Sequence, residues 1–84
     1  MNESQVFEII KEAMVELFEL NPNDITMNAH IVDDLELDSI DAVDLIVYLQ
    51  RQTNIKIKPE EFKSVRHVKD VVNVVLRLVE TTEV

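Results

Sequence analysis

Apolar residues recur at three- and four-residue steps over three stretches of the chain, and each stretch predicts an amphipathic helix. In the first, Val6, Ile10, Ala13, Leu17 and Leu20 form a stripe widened by Ile9, Met14 and Phe18, with Glu8, Glu12, Glu16 and Glu19 opposite. This predicts a helix over 4–20, stopped by Asn21 and Pro22. In the second, Ala42, Leu45, Ile46 and Leu49 face inward on a helix that opens at Asp38 or Ser39. Asp38 suits the N-cap, Asp41 follows three residues later near the capping-box pattern, and Asn54 can end the helix after about Thr53. In the last, Val65, Val68, Val72, Val75 and Val79 keep helical spacing on a helix that opens at Ser64 or Val65 and runs to about Val79. The β-branched Val71, Val72, Val74 and Val75 favour a strand locally, but length and period favour a helix and decide the reading. Residues 81–84 are expected to fray.

Between the first two helices, residues 21–37 form a long connection in which Asn, Pro, Asp and Thr alternate with isolated apolar residues. A connection of this length in a small domain is usually functional or packed by its own side chains. Ile25, Ile31 and Leu35 are expected to pin it to the core. The alternation of Ile55, Lys56, Ile57 and Lys58 is too short to specify a strand. Pro59 followed by Glu60 and Glu61 makes a good first helical turn, which predicts a short helix over 59–63 with Phe62 inward. The expected architecture is all-α, a four-helix bundle with three longer helices and one short one, in a single domain over 1–84. No internal repeat or low-complexity segment interrupts it.

Composition narrows the function classes. The chain has 84 residues, 46% of them hydrophobic and 30% charged, which fits one globular domain with a small core. Cysteine and glycine are both absent. That excludes disulfides, thiolate zinc sites, Gly-rich phosphate loops and the glycine-flanked nucleophile elbow. The net charge is −9, so the protein repels nucleic acid and anionic membranes and attracts basic faces. Charge is also unevenly placed: of the eight Lys and Arg residues only Lys11 lies before Arg51, whereas Asp33, Asp34, Glu36, Asp38, Asp41 and Asp44 crowd a short stretch. The N-terminus lacks the basic start and apolar run of a signal peptide, and the longest apolar run, residues 45–49, is far too short to span a bilayer. A cytoplasmic protein is expected.

The informative stretch is Asp34-Leu35-Glu36-Leu37-Asp38-Ser39-Ile40-Asp41. It puts a serine at the start of a helix, after a long surface loop and inside a field of carboxylates. A helix N-terminus presents unpaired N–H groups and a partial positive charge, so a phosphodiester on Ser39 would sit where backbone geometry favours an anion. Asp-Ser before a helix is also ordinary capping chemistry, and the dipeptide alone does not define a site.

Taken together, these residues resemble the acyl carrier protein family over nearly the whole chain. The family's D-S-L element appears as Asp38-Ser39-Ile40, and its D-L-G-x motif as Asp34-Leu35-Glu36-Leu37. Its E-L-V run matches Asp44-Leu45-Ile46, its I-P-D-E-E stretch is echoed by Ile57-Lys58-Pro59-Glu60-Glu61, and the T-V that opens its last helix by His67-Val68. The resemblance implies a non-enzymatic carrier of fatty-acid or polyketide-type biosynthesis. Its acyl intermediates would be held as thioesters on a covalent 4'-phosphopantetheine arm, taken from coenzyme A and fixed to Ser39 beside Asp38. A phosphopantetheinyl transferase would load it, and acyltransferases, ketosynthases and other acyl-processing enzymes with basic docking faces would be its partners, the chain itself being a monomer.

The sequence departs from the family pattern at several points. Glu36 replaces the family's glycine, so the loop is expected not to use a glycine conformation there. Gln50 and Arg51 stand where housekeeping fatty-acid carriers have acids, and Tyr48 replaces a smaller residue. The run around Ser39 and the Lys-Pro-Glu-Glu-Phe turn look more like carriers of polyketide or aryl-polyene-type clusters. Asp38, Asp41 and Asp44, interleaved with Ile40, Val43 and Val47, suggest a docking face for a basic, partly apolar partner, and the family uses the same helix in this way. Ile46, Leu49, Phe62, Val65 and Val68 could line a shelter for the acyl chain, although each also reads as plain core.

Three other readings compete. A calcium loop starting at Asp34 fits at Glu36 and Asp38 but fails at the glycine position, Ser39, and at the last position, Leu45; no dedicated metal site is expected, though carboxylates this dense can hold cations weakly. A hydrolase triad of Ser39 with His30 or His67 has no oxyanion-hole motif beside it, and lone histidines of this kind are usually surface or packing residues. An unmodified helical module that binds a basic partner remains the open alternative.

Overall fold

Asn2 opens the first helix, α1 (Glu3–Phe18), one residue ahead of the expected start. Its side chain accepts the N–H of Gln5, and the Gln5 side chain accepts the N–H of Asn2. The helix ends two residues early because Glu19 turns left-handed, with φ 55°, and donates its N–H to the carbonyl of Val15. The stripe therefore closes with Val6, Ile10, Ala13 and Met14 buried, while Leu17 is exposed and Leu20, beyond the helix, is half-buried. The computed structural model describes residues 2–82, with side chains as far as Val79.

Two further helices complete the frame, α2 (Ser39–Thr53) and α3 (Val68–Thr82), with short 3₁₀ turns at Pro22–Asp24 and Pro59–Phe62. The chain is all-α, and the expected short helix takes the tighter 3₁₀ form. α2 runs over the expected span and ends on Asn54, a left-handed cap with φ 57°. α3 starts later than expected. The Arg66 guanidinium donates to the carbonyls of Lys63 and Val65, and the Asp70 carboxylate accepts the N–H groups of Arg66 and His67. Those contacts hold residues 63–67 in a turn and cap the helix at its third residue. Helical backbone continues through Thr82, and residues 83 and 84 of the segment expected to fray lie outside the described residues.

α1 packs against both α2 and α3, and the Pro59–Phe62 turn bridges the latter two. The fully buried side chains include Ile10, Met14, Leu49, Val68, Val71, Val72 and Val75. The valines of α3 thus form its core face, and burial there outweighs their strand preference. In the long connection Ile25 and Leu35 are buried and Ile31 is half-buried against the core, joined by Ala29 and Leu37. Ile55 and Ile57 also turn inward, the latter fixed by its N–H to the Gln50 side chain at 2.8 Å. Among the described residues, no helix is long and apolar enough to cross a membrane.

Candidate functional site

Asp38 does the capping of α2. One of its carboxylate oxygens accepts the N–H of Ile40 at 3.0 Å and of Asp41 at 3.1 Å, and the Asp41 carboxylate returns the bond to the N–H of Asp38 at 3.1 Å. The capping box is complete, with aspartate in both places. Ser39 is the first helical residue and is exposed.

Beside Ser39 opens a cavity of about 420 Å³ between α2, the end of the long connection, the Pro59–Phe62 turn and α3. Leu37, Ala42 and Ile46 form one wall, and Phe62, Val65 and Val71 the other. Of the sequence-predicted shelter residues, Ile46, Phe62 and Val65 line this cavity. Leu49 and Val68 do not: both are 0% exposed and belong to the core. Leu37 was missed, although its position before the cap, with Ala42 in the second turn, is the pattern of a hydrophobic staple. Val32 and Lys63 also reach the cavity, and nothing in the sequence pattern signals either.

The outer side of α2 carries exposed apolar residues among acids. Ile40 is 72% exposed, with Val43 and Val47 also exposed. Asp38 and Asp44 are exposed and Asp41 is half-buried by its capping role. Apolar side chains left in water beside carboxylates make a surface suited to a basic partner with apolar anchors.

The turn before Ser39 overturns one expectation. Glu36 adopts φ 56°, the left-handed conformation in which glycine is most at ease, and its N–H donates to the carbonyl of Val32 at 3.1 Å. The turn geometry is thus reached without glycine. The surrounding bonds hold it there: Asp34 and Leu35 N–H groups both reach the His30 carbonyl, and Leu37 N–H that of Ile31.

The histidines make no hydrogen bond to Ser39. His30 Nδ1 accepts the N–H groups of Val32 and Asp33, and the His67 ring stands 3.6 Å from the Asp70 carboxylate, so neither supports a triad. No group of three or more His, Asp or Glu side chains among the described residues is gathered as a metal cage.

Comparison with known proteins fits this geometry. Residues 8–75 match the family model described as phosphopantetheine attachment site. The chain is 49% identical over 78 residues to acyl carrier protein 2 of Ralstonia nicotianae, covering 93% of this chain and 96% of that protein. It is 37% identical over 78 residues to the acyl carrier protein of Wolinella succinogenes, covering 93% and 97%. To that of Petrotoga mobilis it is 30% identical over 73 residues, covering 87% and 86%.

Proposed function

This chain belongs to the acyl carrier protein family, and we propose that Ser39 is the residue that bears its covalent 4'-phosphopantetheine group. The observation that carries the reading is an exposed hydroxyl on the first turn of α2, at the mouth of an apolar cavity. The residues present fit the group. The hydroxyl is open to a loading enzyme, and the cavity beside it offers apolar walls to whatever the arm carries. When bound, the group supplies a thiol on which acyl intermediates are held as thioesters.

The chain's own residues have simpler duties. Asp38 and Asp41 hold the helix start that presents Ser39. Asp38, Ile40, Asp41, Val43, Asp44 and Val47 form the face offered to a phosphopantetheinyl transferase and to acyl-processing enzymes such as acyltransferases and ketosynthases. Ile46, Phe62 and Val65 form the acyl shelter. The chain acts as a single acyl-carrier-like domain, in the cytoplasm, as a monomer and without catalysis of its own. Fatty-acid and polyketide-type pathways both suit this chemistry.

Incubation with coenzyme A and a broad-specificity phosphopantetheinyl transferase, followed by intact-mass measurement, tests the assignment. One phosphopantetheine is expected on the wild type and none on Ser39→Ala. An addition that survives Ser39→Ala removes the assignment, and no addition on the wild type removes it and favours an unmodified interaction module.

A further inference from the structure

We propose that Lys63 is the cation that holds the phosphodiester of the arm on Ser39, an inference that rests on the assignment of Ser39 above. Among the residues lining the cavity, the polar ones are Asp38, Ser39 and Lys63. Lys63 follows the Pro59–Phe62 turn, which packs on both α2 and α3, so it reaches the mouth of the cavity from outside the helix that bears the serine.

Two observations favour a cation from elsewhere. First, two of the N–H groups that a helix start offers to an anion are already engaged here, those of Ile40 and Asp41 being bound to Asp38. Second, the phosphodiester would carry its charge into a field of like charge. Six acids lie between Asp33 and Asp44, with no Lys or Arg between Lys11 and Arg51. An opposite charge at the rim offsets that repulsion, and more effectively beside apolar walls than in open water.

Lys63 is the cation available for this role. Its ammonium makes no hydrogen bond or ion pair among the described residues, while its backbone is anchored by its own N–H to Glu60 and by Arg66 on its carbonyl. Arg66 is engaged with the carbonyls of Lys63 and Val65, and Arg77 pairs with Glu61. Neither lines the cavity. The result is a fixed base carrying an uncommitted positive head.

The test uses the full chain loaded with phosphopantetheine, with intact mass establishing the modification and phosphorus NMR reading the phosphodiester. In the wild type the phosphorus resonance should move as sodium chloride is raised, as screening releases the ammonium. Lys63→Gln should displace the resonance at low salt and abolish the salt response, Lys63→Arg should retain the response, and Lys69→Gln, an exposed lysine away from the cavity, should behave as wild type. A loaded Lys63→Gln chain with the wild-type resonance and salt response overturns the role of Lys63 and leaves Ser39 standing. A chain whose mass shows no loading on Ser39 overturns both.

Discussion

His30 and His67 meet edge to face, with ring centroids 5.1 Å apart and planes at 76°. Around them the long connection is tied to the start of α3, through Ile31 N–H to the Arg66 carbonyl at 2.8 Å and Val68 N–H to the Ala29 carbonyl at 3.0 Å. His30 Nδ1 accepts two backbone N–H groups, from Val32 at 3.2 Å and Asp33 at 3.0 Å. That nitrogen therefore carries no proton, and the ring hydrogen sits on Nε2. Nitrogen NMR of the imidazole should show that tautomer. His30→Ala should lower stability by about 1 kcal/mol, read as a lower urea midpoint at unchanged slope. A midpoint equal to wild type would show that the connection is held without this ring.

Asp70 links stability to pH. The N–H of His67 is the main cause, followed by that of Arg66, that holds its carboxyl below the ordinary 3.8; partial burial opposes this, and the His67 side chain adds to it. A carboxyl with a lowered value in the fold contributes fully above its unfolded value, and the contribution is lost as pH falls through the folded one. Asp70→Ala should cost about 1 kcal/mol at neutral pH, as for loss of a helix cap. The gap between the two urea midpoints should shrink below pH 3.8. A gap that stays constant into strong acid would contradict the link.

Glu36 stores backbone strain. A non-glycine residue in the left-handed region costs about 1–2 kcal/mol, and glycine relieves this while adding freedom to the unfolded chain. Glu36→Gly is expected to stabilise by up to about 1 kcal/mol, checked by thermal or urea unfolding. A destabilised variant would mean that the glutamate side chain outweighs the strain.

Leu49 and Phe62 should separate core from cavity wall. Leu49 is fully buried, so Leu49→Ala should cost about 2–5 kcal/mol. Phe62 is half-buried and already faces open space, so Phe62→Ala should cost less. Unfolding curves for the two variants give the order directly, and the reverse order would make the wall part of the structural core.

The proposed docking face predicts losses of binding without losses of fold. Asp44→Asn and Ile40→Ala should raise the KM of the transferase for this chain while changing stability by no more than about 0.5 kcal/mol. The Asp44 effect should fade at high salt, since exposed charges are screened beyond about 8–10 Å at ordinary ionic strength. Asp41 is the poorer probe, because its carboxylate also returns the capping bond to Asp38. Transferase kinetics indifferent to salt and to Asp44 would place docking elsewhere.

Local rules carried much of this into the sequence. The extent of α2 was legible because Asp38, Asp41 and Asn54 are cap residues acting on their immediate neighbours. The three apolar stripes were legible for the same reason. The late start of α3 was not, because it depends on Arg66 and Asp70 reaching backbone atoms in a turn, while the valine spacing runs unbroken through it. Lys63 at the cavity and the meeting of His30 with His67 were hidden because they depend on how distant segments converge. Glu36 misled for a different reason: residue type suggests a backbone preference, and several neighbouring hydrogen bonds together overrode it.

The division of labour between Asp38 and Ser39 has a lasting consequence. A serine that capped its own helix would have to surrender that bond each time its oxygen was esterified, and the fold would register every loading and unloading. Because the aspartate before it does that work, the hydroxyl owes nothing to the architecture. If Ser39 bears the arm as proposed, the bare and the charged forms can share one scaffold, and a partner would tell them apart by what hangs from the serine.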